Sequence, residues 1–170
     1  MKNSFTISKI DEINLKKYGL TLKEIKAQTK KMLDYILELE ELKTSKVFDG
    51  TISRVRFDLS LCTDETIRTI NRDYRNKDKA TDVITFSLFV DDEFSIPIRK
   101  QADLGQINVS IETADRQKAE NNNTLKQEIL TLICHGILHL LGFDHLEKKD
   151  YDFVVGVQKK VLKNYEQVSI

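Results

Sequence analysis

A chain of 170 residues, 40% hydrophobic and 32% charged, has the size and balance of one globular domain with a real core. Lys plus Arg and Asp plus Glu both number 27, which excludes nucleic-acid binding through bulk charge and leaves a local basic patch as the only route to it. Two cysteines, Cys62 and Cys134, give no disulfide framework and suit a reducing cytosol, and no segment has the apolar run of a signal peptide or a bilayer span. The expectation is a soluble, cytoplasmic protein with no membrane partner, residues 1–170 forming a single domain.

In chain order, residues 4–10 are a short strand candidate. Thr21-Leu22-Lys23-Glu24 is a capping box that opens an amphipathic helix running to about Leu42, with Leu22, Ile25, Met32, Ile36 and Leu39 along one side. Val55 to Leu61 alternates apolar and polar, the mark of a half-buried strand. Thr63 or Asp64 caps a short helix carrying Ile67, Ile70 and Tyr74. Val83 to Phe89 reads as a strand, Asp91 to Asp103 with Pro97 as a loop, and Ile107 to Ile111 as another strand. A polar helix from Glu112 ends at the triple Asn121-Asn122-Asn123. A second capping box, Thr124-Leu125-Lys126-Gln127, starts a helix with Leu125, Ile129, Leu132 and Leu140 for the core. A last helix, roughly Lys148 to Tyr165, bears Val154, Val157, Val161 and Leu162. Helices and strands without regular βαβ spacing predict an α+β fold, a small mixed β-sheet covered by helices.

The three histidines of the chain fall in one window, His135-Gly136-Ile137-Leu138-His139-Leu140-Leu141-Gly142-Phe143-Asp144-His145. Residues four apart on a helix lie about 40° apart around the axis, so His135 and His139 can aim at one spot. Gly142 is suited to end that helix in a left-handed conformation, letting the chain return with His145. Three neutral imidazoles around Zn²⁺ leave a fourth position open, the pattern of catalytic zinc, which lowers the pKa of bound water to about 7. The spacing is that of the long zinc-protease signature, except that Gly136 replaces its general-base glutamate, which argues for a different substrate. Two blander arrangements use the same residues: a core helix with satisfied imidazoles, or a closed structural site with Asp144 as fourth ligand. Cys134 sits about 100° around the helix from His135 and reads as a small buried hydrophobe. Gly136 in a helix costs about 1 kcal/mol relative to Ala, so something packs against its bare Cα, a neighbouring helix or the substrate itself.

A second stretch, Arg72-Asp73-Tyr74-Arg75-Asn76-Lys77-Asp78-Lys79, places four basic residues where the short helix gives way to a strand. With Asp73 and Asp78 interleaved, such a stretch reads first as a solvated turn. It can grip phosphates, Arg through a bidentate fork and Lys as a point charge, only if the fold brings it beside the metal.

The histidine window resembles the H-G-x-L-H-L-L-G-Y-D-H signature of the YbeY family, bacterial zinc-dependent endoribonucleases of ribosomal RNA maturation. Tyr74-Arg75-Asn76-Lys77-Asp78-Lys79-Ala80-Thr81-Asp82-Val83-Ile84-Thr85-Phe86 is similar to that family's Y-R-G-K-D-K-P-T-D-V-L-S-F, and Leu104-Gly105-Gln106-Ile107 to its L-G-D-I. The resemblance spans about Ile70 to His145. It implies one Zn²⁺ per chain on His135, His139 and His145, and a single-strand-specific endoribonuclease of 16S rRNA 3′-end maturation and ribosome quality control. The implied partners are single-stranded RNA, ribosomal RNA and the small ribosomal subunit. It further implies Arg75 as the catalytic cation that stabilises the transition state, with Lys77, Arg72 and Lys79 binding flanking phosphates. Glu128, seven residues before His135, lies on the same helix face and is expected to orient an imidazole, if it is not a surface glutamate; Asp144 is expected to do the same or to shape the turn.

The chain departs from the family pattern at Asn76 for glycine, Ala80 for proline, Ser87 where a proline follows, and Gln106 for aspartate. The last puts in doubt any role that needs a carboxylate there. Two other functions stay open at this level: a metallopeptidase using Glu128 or Asp144 as base, and a non-catalytic ribosome-assembly factor in which zinc staples two helices.

Overall fold

The computed structural model describes residues 4–11, 13–45, 52, 54–88, 101–143 and 148–167. Four strands, β1 (Ser4–Lys9), β2 (Arg54–Cys62), β3 (Val83–Ser87) and β4 (Gln101–Ser110), form one sheet in the order β1-β2-β4-β3. β1, β2 and β4 run parallel, and β3 is antiparallel to β4 on the edge. Five helices complete the fold: α1 (Leu22–Glu38), α2 (Asp64–Arg75), α3 (Ile111–Gln117), α4 (Leu125–Leu140) and α5 (Lys148–Gln167). This is the α+β architecture, a mixed sheet covered by helices, that the sequence patterns predict. None of the described helices is long and apolar enough to cross a membrane.

Alternation sorts the strands' side chains into two cores. Val55, Phe57, Leu59 and Leu61 of β2 join Ile107 and Val109 of β4 under α1, α4 and α5, with Phe5 of β1 stacked on Phe57 at 5.2 Å. On the opposite face a smaller core forms where Ile67 and Ile70 of α2 cover Cys62, Ile84 and Phe86. Because α2 covers the end of β2, Ser60 and Cys62 are buried as well. β2 is therefore half-buried only over its first residues, a correction to the alternation reading.

Other boundaries also moved. α1 stops at Glu38, with Leu39 in extended conformation, and the residues up to Leu42 form a separate 3₁₀ turn. β4 begins at Gln101, inside the stretch read as loop, because Ala102 and Leu104 bury into the core as β2 pairs alongside. Residues 89–100, with Pro97 and the end of the strand expected to reach Phe89, lie outside the described residues. Thr21 does cap α1, accepting from Glu24 N at 3.2 Å, but the Glu24 carboxylate takes the Thr21 hydroxyl instead of its backbone N–H.

One polar knot fixes the corner where β2 enters α2. Asp64 accepts from the hydroxyls of Ser110 and Thr113 at 2.6 Å each and from Arg116 Nη2 at 2.6 Å. Burial pushes the Asp64 carboxyl up, but the hydrogen bonds from Ser110, Thr113 and Arg116 outweigh it and hold the pKa below the usual carboxylate value. A folded-state pKa below the unfolded one adds stability above the unfolded pKa and loses it as pH falls through the folded pKa. Asp64→Asn is therefore expected to lower stability at pH 7 by about 1–3 kcal/mol and to flatten the fall in Tm below about pH 4. Thermal melts from pH 2.5 to 7 measure both; an unchanged acid limb would show that this knot contributes nothing.

Candidate metal centre

α4 carries the histidines, and local signals set both its ends. The Thr124 hydroxyl accepts from Gln127 N at 3.3 Å while Gln127 Oε1 accepts from Thr124 N at 2.8 Å, a complete capping box. At the other end Gly142 has φ +91°, and Phe143 N donates to Leu138 O and Gly142 N to His139 O, both at 3.0 Å. This is the Schellman pairing that a left-handed glycine permits. The Ser45 hydroxyl, far away in sequence, donates to Leu141 O at 2.6 Å and anchors the same end. From residue 129 onward the helix is buried except for Thr131, His135 and His139, a stripe of four-residue steps that reaches the surface.

On that stripe the two imidazoles turn toward each other until His135 Nε2 and His139 Nε2 stand 2.8 Å apart. Their ring centroids are 4.4 Å apart and their planes 70° from parallel. Two ligand nitrogens around a tetrahedral zinc, at bonds of about 2.0–2.1 Å, lie about 3.3 Å apart. The pair fits such an ion with a small opening of side-chain torsions. On the far side of the ring, His135 Nδ1 lies 3.2 Å from Gln158 Oε1 of α5. Sequence reasoning missed Gln158, although a polar residue four after Val154 and three before Val161, on an apolar stripe, is a readable signal.

His145 and Asp144 lie outside the described residues, and among the described residues no group of three His, Cys, Asp or Glu side chains comes together. Cys134 is fully buried, and desolvation pushes its thiol up to about 12, which suits packing and not ligation.

Glu128 corrects the sequence reading in both its forms. It is not on the surface, being 2% exposed, and its oxygens accept from Asn121 Nδ2 at 2.9 Å and Asn123 Nδ2 at 2.8 Å. Its carboxylate ties the asparagine loop to the first turn of α4, while an acceptor beside His135 is supplied by α5. A peptidase built on Glu128 as base loses its support.

Gly136 is packed by neither a helix nor a substrate. A Cβ at that position would meet the Ile107 side chain of β4 at 2.9 Å. The bare Cα lets α4 settle on the sheet, and position 136 is buried against β4.

Arg75 is the last residue of α2, and its Nη2 donates to Thr85 O of β3 at 3.2 Å. Two residues further along β3, about 6.7 Å, the Ser87 hydroxyl contacts Leu140 O at the end of α4 at 3.5 Å. One short edge strand thus connects the arginine to the helix end that bears His139. Ser87 uses here a donor that the family's proline lacks. Lys77 and Lys79 are exposed, and Arg72 is exposed beside Asp73 at 2.9 Å, a pair weak enough for a phosphate to displace. Asn76 has φ +56° and ends α2, the left-handed position that explains a glycine in relatives and tolerates asparagine.

Gln106 faces the other way. Ile107 meets Gly136, so its neighbour lies on the α2 face, where Gln106 Nε2 donates to Asn108 Oδ1 at 3.0 Å in a cavity of about 410 Å³ lined in part by Tyr74 and Phe86. The loss of the family's aspartate there leaves the imidazole pair untouched.

The fold and the site define a class of α+β protein with an imidazole pair on a helix that ends beside the edge of a mixed sheet. The family described as Endoribonuclease YbeY matches residues 11–166. Endoribonuclease YbeY of Listeria monocytogenes is 38% identical over 151 residues, 81% of this chain and 91% of that protein. That of Staphylococcus carnosus is 35% identical over 142 residues, 84% of this chain and 90% of that protein. The match with endoribonuclease YbeY of Prochlorococcus marinus, 39% identical over 105 residues, covers 62% of this chain and only 56% of that protein. A Thermotoga maritima protein solved in solution superposes with a TM-score of 0.58 at 26% identity, over 95% of this chain and 89% of that one. The chain belongs to the endoribonuclease YbeY family, and the match extends well beyond the 70–145 stretch that carried the resemblance.

Proposed function

We propose that the chain is a metal-dependent endoribonuclease of ribosomal RNA processing, with one zinc held by His135, His139 and His145. The observation that carries the reading is the meeting of His135 Nε2 and His139 Nε2 at 2.8 Å in a chain of this family. Bound there, zinc supplies Lewis-acid chemistry at a phosphodiester. Neutral imidazoles leave the ion its full charge, which favours an anionic substrate.

The chain's own residues supply the rest. Arg75 stabilises the charge that builds on the phosphoryl group; its guanidinium has five N–H donors, and the bond to Thr85 O uses one of them to aim the others. Arg72, Lys77 and Lys79, exposed around the end of α2, hold flanking phosphates. A basic rim beside a shallow site suits single strands, whose backbone can be splayed, and not a stiff duplex. In this reading the protein works in the cytoplasm on the small ribosomal subunit, in 16S rRNA 3′-end maturation and ribosome quality control.

Arg75→Ala is expected to cut single-stranded RNA about 10²–10³-fold more slowly with zinc content unchanged. Arg75→Lys should restore little, because a point charge does not replace a planar fork. A duplex of matched sequence should survive under the same conditions. Native-rate cleavage by Arg75→Ala would remove the catalytic role, and equal cutting of duplex would remove the strand preference.

A further inference from the structure

We propose that Gln158 is a positioning residue that fixes the tautomer of His135 and so directs its Nε2 lone pair to the point it shares with His139. The inference rests on the metal reading above and adds a residue from a different helix to it. α5 packs against α4 and α1, and its Val154, Val157 and Val161 are buried in the common core. Gln158 interrupts that apolar stripe, half-buried, and a polar group in such a place is retained with a partner. Its Oε1 stands 3.2 Å from His135 Nδ1.

A neutral imidazole has one N–H donor and one acceptor nitrogen, and an amide oxygen only accepts. Gln158 Oε1 therefore holds the proton on His135 Nδ1 and leaves Nε2 as the acceptor. The 2.8 Å contact between the two Nε2 atoms agrees, since it needs one acceptor, and Gln158 makes that acceptor His135. An outer partner of this kind fixes ring orientation and raises ligand basicity, and its loss typically costs 10–100-fold in metal affinity. Leucine at 158 keeps the apolar stripe and removes the acceptor. Glutamate keeps the acceptor and has no N–H to offer.

The test uses the full chain and two readouts. Zinc affinity is measured by competition with a chromophoric chelator for the native protein, Gln158→Leu and Gln158→Glu. Long-range ¹H–¹⁵N spectra of the zinc-free proteins report which imidazole nitrogen carries the proton. Expected are an affinity about 10–100-fold weaker in Gln158→Leu, native or tighter binding in Gln158→Glu, and a pure Nδ1–H pattern for His135 that becomes mixed only in the leucine variant. Native affinity and native tautomer in Gln158→Leu, with the native protein holding zinc, would overturn the proposal while leaving the metal reading intact. Failure of the native protein to bind zinc, or full binding by His139→Ala, would instead overturn the metal reading and the proposal with it.

Discussion

His139→Ala is expected to lose bound zinc and RNA cleavage together, while its melting temperature stays within a few degrees of native. The imidazole is half-buried at the end of a helix whose fold rests on other residues, so truncation removes the proposed ligand and little core. With one of three neutral ligands gone, the affinity falls far below what ordinary zinc supply can saturate. A Lewis acid at the phosphoryl oxygen stands for several kcal/mol of transition-state stabilisation, so the rate should fall by about 10³-fold or more. The measurement is metal content by atomic emission beside cleavage of end-labelled single-stranded RNA, on native and variant protein prepared identically. Equal cutting by both would assign the activity to a contaminant. Zinc retained at one per chain in the variant would place the metal elsewhere.

The second large effect is at Gly136, and here the expectation runs against the zinc-protease pattern. Gly136→Glu completes that signature on paper, yet it should yield no peptidase and a badly destabilised protein. The new Cβ would lie 2.9, 3.0 and 3.2 Å from three atoms of Ile107, a residue with no exposed surface and, being β-branched, stiff at χ1. Beyond the clash, the carboxylate would be driven into the core without a partner, a cost of several kcal/mol. Gly136→Ala isolates the steric part: better helix propensity returns about 1 kcal/mol, while overpacking costs about 1–3 kcal/mol, so a net loss is expected. A double-mutant cycle with Ile107→Ala checks the cause, because the alanine at 136 should cost less once the isoleucine is shortened. A Gly136→Glu protein that melts like the native one would refute this account of why the helix carries glycine beside its first histidine.

These two sites also divide what was legible in the residues from what was not. The start of α4 at Thr124, its end at Gly142 and the shared face of His135 and His139 are local facts, set by capping chemistry and by the four-residue step of a helix. The resemblance to the family rested on the same window and on the stretch around Arg75. Strand alternation gave the members of the sheet, though it understated β4, whose first residues are ordered by pairing with β2, 47 residues away in sequence (Gln101 against Arg54). Glu128 shows the limit of periodicity: the correct helical face was read, but its partners, Asn121 and Asn123, are selected by how the preceding loop folds back.

The sequence by itself determined that two imidazoles share a helix face, that the helix ends where the chain must turn, and that no carboxylate stands at position 136. Each of these follows from residues within one or two turns of one another, where backbone geometry leaves few alternatives. Only the tertiary structure decided that Gly136 lies on Ile107, that Gln158 stands behind His135, and that Arg75 is set on the edge strand running toward the end of α4. Those contacts join residues 10 to 53 positions apart, and their choice depends on how whole elements pack to bury one common core, which no local pattern encodes.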